Sequence, residues 1–542
     1  MVGRFWSYRR VGVYACRRAM YGRAGRKHAA APGSVGPSFI RQLPDSCVWL
    51  PHEVVLKRRC ADTPTRRYAD TSLPLASSPI LVFLSGPMST APSIFRELRK
   101  TARLAFPITA SQVGQMLMGL LDTLMVGHVG VTPLAAAAFA NSLVNLAFVF
   151  GIGLLASVGV LASQAHGAEM DDAKRAVLRG SVWFAVFVGG AVAIILSISQ
   201  PWLFLLGQPP EILETARPFM MLMGWSLIPA LVFISAKSFC ESLSRPIFPM
   251  IMMYVGVGLN VLLNWIFIFG QFGAPKLGLV GAGCGTLVSR IVTMTGTLWY
   301  CLYITRTPAS TISPAHLDLP TLRSLVTLGL PTGLQLLAES SAFSSAAILM
   351  GWISTTALAA HQIAITCAAT TFMFPLGVSQ AVSVRVGQAI GAGQHALVRT
   401  ISTGGLGLSA GIMALFAISY ALFRYSIIGC FTSDPDVIVL TGTLLIVAGL
   451  FQVADGVQVT AIGALRGLAD VRIPMVLSFG FYWLFAIPVG YLTAFTWRLG
   501  AAGIWIGLAT GLFLAATVLT LRLWRLTTPG SRFAFVVPQE AE

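Results

Sequence analysis

Three carboxyl side chains stand in stretches otherwise built from apolar residues. They are Asp122 in Leu120-Leu121-Asp122-Thr123, Glu339 in Leu336-Leu337-Ala338-Glu339-Ser340, and Asp455 in Phe451-Gln452-Val453-Ala454-Asp455-Gly456. None has a Lys or Arg within one helical turn, so local ion pairing does not account for them. Ionisable groups inside a bilayer are costly and mark functional positions by default. Two chemistries suit such groups. A carboxyl in a partly dry cavity can take up and release a proton. Alternatively, two carboxylates joined by hydroxyl or amide oxygens replace the hydration shell of a hard cation such as sodium. A hydrogen-bonded carboxyl that only fixes helix packing is the structural alternative for each.

Weaker polar groups accompany the acids. Asn260 and Asn264 are four apart, so they share one helix face and either line a cavity or bond across to a neighbouring helix. Gln112 and Gln115 are similar cases, and Gln362 is a candidate to line a second-half cavity, whereas its neighbour His361 reads as a structural hydrogen-bonder. Lys237, Glu241 and Arg245, at four-residue spacing, predict a local salt-bridge ladder. The Gly-rich runs Gly151-Ile152-Gly153 and Gly404-Gly405-Leu406-Gly407 predict close helix packing and not phosphate cradles.

The elements that must position these residues are long apolar segments. Each has about 20 or more residues, enough to cross a hydrocarbon core of ~30 Å as a helix. The predicted spans cover residues 106–126, 134–162, 176–199, 213–239, 247–270, 279–304, 328–350, 358–388, 401–423, 437–462, 472–495 and 500–522. The segments form two copies of one pattern. At one constant offset Pro107 pairs with Pro331, Gly127 with Gly351, Gly153 with Gly377, Gln164-Ala165 with Gln388-Ala389, and Gly167-Ala168 with Gly391-Ala392. At the same offset Gln115 meets Glu339, so one copy carries an acid where the other carries its amide. Two hydrophobic halves with the same internal order are the signature of a transporter whose site lies between them.

Composition agrees. A soluble chain averages ~45–50% apolar and ~25% charged residues, against 55% and 11% here, with a mean hydropathy of +0.76. The net charge of +17 lies in an N-terminal segment, in short connections and at helix ends. It lacks the aromatic-interleaved basic domain of a nucleic-acid binder, so no nucleic-acid partner is expected. The eight cysteines include no CxxC pair, and neither a disulfide framework nor a cysteine metal site is expected.

Residues 1–87 are Arg-rich, with no acid before Asp45. They read as a targeting segment or as sequence upstream of a start at Met88, and are set aside from fold reasoning. Basic residues concentrate before the first span (Arg96, Arg99, Lys100, Arg103), at the even-numbered connections and at the C-terminus. Both termini are therefore expected to be cytoplasmic and the halves to be parallel repeats.

Four segments carry a family resemblance: Leu121-Asp122-Thr123-Leu124-Met125-Val126-Gly127; Ala359-Ala360-His361-Gln362-Ile363-Ala364; Pro375-Leu376-Gly377 with Ser383-Val384-Arg385-Val386-Gly387-Gln388; and Asp455-Gly456-Val457-Gln458 with Gly463-Ala464-Leu465-Arg466-Gly467. In this order they resemble the MATE (multidrug and toxic compound extrusion) family, in its bacterial NorM-type branch. The resemblance implies an all-α membrane protein of twelve helices in two six-helix lobes, V-shaped, exporting cationic compounds against an inward sodium or proton gradient. Expected divisions are a basic extension over 1–87, lobes over 88–310 and 311–527, and a cytoplasmic tail over 528–542. By position Glu339 and Asp455 match the family's second-lobe cation site, with sodium as the candidate ion, and Asp122 matches its first-lobe proton-coupling acid. Some relatives carry a tyrosine one turn before the helix-ten acid, where this chain has Phe451. The expected setting is the inner or plasma membrane, or an organelle membrane if residues 1–87 are a transit segment. Cationic substrates and the bilayer are the expected partners of a monomer without cofactor beyond the coupling ion. No span shows a hydrolase motif such as His-Glu-x-x-His or Gly-x-Ser-x-Gly. A lipid-linked saccharide flippase of the same superfamily is the alternative, for which Arg290 and Arg385 are the candidate anion-holding residues.

Overall fold

A computed structural model describes residues 94–308, 313, 317–528, 533 and 536–537. They belong to one compact unit, Pro87–Glu542, and the readings made for residues 1–87 lie outside the described residues. Among the described residues twelve helices are long and apolar enough to cross a membrane: α1 Ile94–Gly127, α2 Val131–Gly167, α3 Asp171–Ile198, α4 Pro210–Ser242, α5 Ile247–Phe269, α6 Leu279–Thr305, α7 Leu319–Ile353, α8 Thr355–Gly391, α9 His395–Gly429, α10 Pro435–Gly467, α11 Arg472–Thr496 and α12 Gly500–Leu526. No strand occurs among the described residues. The chain is thus an all-helical, multi-pass membrane protein.

Most helices outrun their hydropathy spans because caps and basic turns prolong them. Asp318 accepts the Thr321 amide at 3.2 Å to open α7, Ser354 caps α8 through the Ala357 amide at 3.0 Å, and Asp434 accepts the Asp436 amide at 3.0 Å beside Pro435 at the head of α10. The basic turn from Arg96 to Arg103 joins α1 instead of preceding it.

The repeat is visible in the packing. Within the first lobe α4 packs against α2, α3 and α6, and within the second α10 packs against α8, α9 and α12. Hydrophobic clusters divide by depth. At the inner end, where the basic residues sit, clusters mix the lobes: Leu104 and Ile108 of α1 with Val378, Val382 and Leu465, and Leu155, Val158 and Leu161 of α2 with Leu325 and Leu328. Toward the opposite end they do not mix. One cluster there holds Val126, Ala136, Met220 and Ile268, and the other Met350, Leu444, Phe451 and Trp505. The lobes are therefore sealed together at the inner end and parted at the outer end.

Glycines make the seal close. A Cβ at Gly153 would fall 2.4 Å from the Gly333 Cα, and one at Gly391 would fall 2.0 Å from the Gln164 carbonyl oxygen. These contacts match the packing expected of Gly153, and Gly405 likewise abuts Val382 at 2.3 Å. Gly404 and Gly407 depart from that expectation: among the described residues Gly404 has only Leu98 near it, at 3.9 Å, and Gly407 has nothing within 4 Å. The predicted ladder also needs correction. Lys237 and Glu241 pair at 3.7 Å and are buried, but Lys237 donates to Gln112 Oε1 of α1 at 2.7 Å, and Arg245 lies beyond the helix end without joining.

The seal gives a test with a definite sign. Alanine exceeds glycine in helix propensity by about 1 kcal/mol, so Gly190→Ala in α3, where a Cβ meets nothing within 4 Å, should raise the thermal midpoint of the purified protein. Gly153→Ala should lower it, because overpacking against backbone costs about 1–3 kcal/mol. Equal gains for both variants would contradict the close approach.

Candidate functional site

In the second lobe, α7, α10 and α11 converge on Glu339. The Tyr482 hydroxyl donates to Glu339 Oε1 at 3.0 Å and accepts from Gln458 Nε2 at 2.9 Å. Gln458 is three residues beyond Asp455, so the two share a face of α10. Tyr482 is buried and sits in a π-helical stretch, Gly480–Ala486, which reaims side chains. Its neighbour Trp483 donates to the Ala338 carbonyl at 3.2 Å, and one turn below Gln335 donates to Ser478 Oγ at 3.3 Å. These bonds tie α11 to α7 around the acid. Asp455 is 8% exposed and makes no hydrogen bond or ion pair among the described residues. It lies within electrostatic reach of Glu339. Arg466, on the inner last turn of α10, also acts electrostatically on Glu339 without an ion-pair contact, and its buried Nε has no partner among the described residues.

The first lobe holds a separate cluster. Asn264 Nδ2 donates to Asp122 Oδ1 at 2.6 Å, and Asn260 Nδ2 donates to Thr286 Oγ1 at 3.1 Å. Thr286 Oγ1 also lies 3.4 Å from Asp122 Oδ2. Asn264 Oδ1 is buried with no hydrogen-bond partner among the described residues. The cluster therefore gathers carboxylate, amide and hydroxyl oxygens, one of them an unused acceptor, which is the donor set of a hard cation. Arg290 acts electrostatically on Asp122 but is held off it, its Nη1 donating to Ser226 Oγ at 2.6 Å and its guanidinium 5.8 Å from the Phe148 ring.

The acids and amides singled out in the sequence thus fall into two groups, Asp122 with Asn260 and Asn264, and Glu339 with Asp455. Gln115 joins neither through a hydrogen bond, and Gln362 is exposed on α8. His361 is structural, its Nδ1 accepting from Trp505 Nε1 at 3.2 Å. Phe451 is buried against Trp505, and the hydroxyl that meets Glu339 comes from Tyr482 of α11. Tyr482, Thr286 and Arg466 were not singled out. The only signal for Tyr482 was a hydroxyl inside an apolar run, four residues after Ser478. Among the described residues no three His, Cys, Asp or Glu side chains come together, so each cluster depends on neutral oxygens.

Two repeated lobes, each with a carboxylate cluster, sealed at one end and parted at the other, define a secondary transporter. The MatE family model matches the chain twice, over residues 107–266 and 331–492, beginning at the two prolines that the internal repeat pairs. The chain belongs to the MatE family and is a transporter, not an enzyme. It is 37% identical over 448 residues to a Bradyrhizobium diazoefficiens protein named "Probable multidrug resistance protein NorM", covering 81% of this chain and 96% of that one. It is 36% identical over 450 residues to the Pseudomonas putida protein of the same name, with 81% and 96% covered. Among solved structures, the eukaryotic MATE transporter AtDTX14 aligns with a TM-score of 0.72 at 21% identity, covering 79% of this chain and 96% of that one. An outward-facing multidrug resistance MATE family transporter aligns with a TM-score of 0.71 at 22% identity, covering 81% and 99%. These last two likenesses share the fold.

Proposed function

We propose that this chain is a multidrug efflux antiporter of the inner or plasma membrane, acting as a monomer. It exports cationic amphipathic compounds in exchange for sodium or protons. The observation that carries the reading is the pair of clusters, each with an acid inside a membrane-spanning helix and free of ion-pair contact among the described residues. An acid held in that way attracts a cation of either kind, and drug and coupling ion exclude each other by competing for one negative charge. The names of the NorM relatives support the substrate class. The first-lobe oxygens, with their unused Asn264 acceptor, favour that cluster as a sodium or proton site, and Glu339 with Asp455 provides a second cation site. The flippase alternative loses support because its candidate arginines are engaged, Arg385 by Glu97 and Arg290 by Ser226.

The full chain reconstituted in vesicles tests this. Ethidium movement should rise at least about tenfold, the equivalent of 1.4 kcal/mol of driving force, when an opposing sodium or proton gradient is imposed. Ethidium movement that responds to neither gradient in properly inserted protein refutes antiport.

A further inference from the structure

An open groove of about 480 Å³ lies between the inner parts of α1 and α9, lined by Ile94, Phe95, Leu98, Gly407, Gly411 and Leu415. The internal repeat explains how it arises. Helices α3 and α9 begin at Asp171 and His395, and in that register Gly180 pairs with Gly404, Trp183 with Gly407, and Phe187 with Gly411. Two aromatic residues of the first lobe are thus glycines in the second. The packing follows suit. A Cβ at Gly180 would meet the Thr321 side chain at 3.1 Å, whereas Cβ atoms at Gly407 and Gly411 would meet none of the described residues within 4 Å. Phe187 itself stands exposed on α3, whereas the glycines at the two equivalent positions of α9 leave the groove open beside α1.

The same register frees a charge. Arg175 of α3 pairs with Asp172 at 3.2 Å, but the equivalent positions in α9 are Arg399 and Ala396, so the arginine has lost its partner. Arg399 is exposed one turn below Thr403, whose hydroxyl donates to its carbonyl at 2.8 Å, and Thr403 lines the groove. In α1, Arg99 follows the groove-lining Leu98 in sequence and is exposed. Neither arginine has an ion pair among the described residues. An apolar slot whose lining residues Leu98 and Thr403 lie one and four positions from exposed arginines without an ion pair among the described residues has the complementarity of one kind of molecule, a lipid with a negatively charged head.

We propose that this groove binds an anionic phospholipid of the inner leaflet, with one acyl chain against Gly407 and Gly411 and its phosphate on Arg99 and Arg399. Because α1 belongs to one lobe and α9 to the other, the lipid contacts both lobes where they are sealed. Native mass spectrometry of the full-length protein, offered equal phosphatidylglycerol and phosphatidylcholine, tests the site. The wild type should retain phosphatidylglycerol in preference. Arg99→Gln/Arg399→Gln should cut that preference about thirtyfold, from two interfacial charges. Gly407→Trp/Gly411→Phe restores the first-lobe residues and should reduce retention of both lipids alike. Absence of headgroup preference in the wild type, or wild-type retention in both variants, overturns the proposal. So does release of a second copy of the chain, instead of lipid, when the groove is filled.

Discussion

Replacing Glu339 with glutamine is expected to abolish coupled ethidium export while leaving the protein folded and inserted. Glutamine keeps an oxygen to accept the Tyr482 hydroxyl, now 3.0 Å from Glu339 Oε1, so the ties among α7, α10 and α11 survive. What is lost is the negative charge. Hydrogen bonds and contacts to a charged group contribute about 1.5–3 kcal/mol, and 3 kcal/mol corresponds to roughly a hundredfold loss of transport rate. Asp455→Asn should behave similarly, since Asp455 has no hydrogen bond among the described residues that a structural role would need. Gln362→Ala, at an exposed position outside both clusters, should retain most of its transport. Initial rates under an imposed cation gradient decide the matter. A Glu339→Gln variant that exports at the wild-type rate would remove the second lobe from the coupling mechanism and leave Asp122 with Asn260 and Asn264.

Cutting the ion pair at the inner end should have the next largest effect. Arg385 of α8 contacts the Glu97 carboxylate and the Thr101 hydroxyl of α1, and its Nη1 donates to the Glu97 carbonyl at 2.7 Å. The two side chains are 10% and 4% exposed, and they join opposite lobes. Removing one partner of a buried pair costs ~3–5 kcal/mol because the other charge is left uncompensated. Here Lys100 remains 2.8 Å from Glu97 and limits the loss, so Arg385→Ala should disfavour the sealed arrangement by about 3 kcal/mol, the low end of that range. That is more than a hundredfold in population. A cysteine placed at buried Ser163, which faces Gly387 across the lobe boundary, would report opening by its labelling rate from the inner side. Arg385→Gln combined with Glu97→Gln should label more slowly than Arg385→Ala, since no buried charge is stranded. Equal labelling in wild type and Arg385→Ala would mean that the pair does not hold the seal.

The twelve spans and the repeat were legible because hydropathy and residue order are one-dimensional signals. Pro107 with Pro331 and Gly153 with Gly377 needed no structure to find. Helix ends were less legible: α1 already runs through residues 94–105, before the predicted span, and Glu97, in a turn that looks solvent-facing, is buried against α8. The acids were legible as costly charges in apolar runs, but their companions depended on which helices pack. Asn260 and Asn264 meet Asp122 only through the α1–α5 contact. Tyr482 reaches Glu339 by way of α11, and its π-helical turns leave no simple periodicity to read. Lys237 looked like the partner of Glu241 by spacing, and its shorter bond, to Gln112 on a different helix, is invisible to spacing.

The uneven seal also decides where the membrane potential is felt. Water that enters between the parted outer ends takes nearly the potential of the outer bath, and the voltage then falls mainly across the packed region that runs from Gly153 and Gly333 to Gly391. An elementary charge crossing the whole potential gains about 2.3 kcal/mol per 100 mV. In this conformation a cation that enters between the parted outer ends gains little of that before it meets the packed region. The energy is released when the seal moves to the other end and carries the bound charge across the field. Voltage therefore acts on the rearrangement of the lobes and leaves outer-side cation affinity almost untouched.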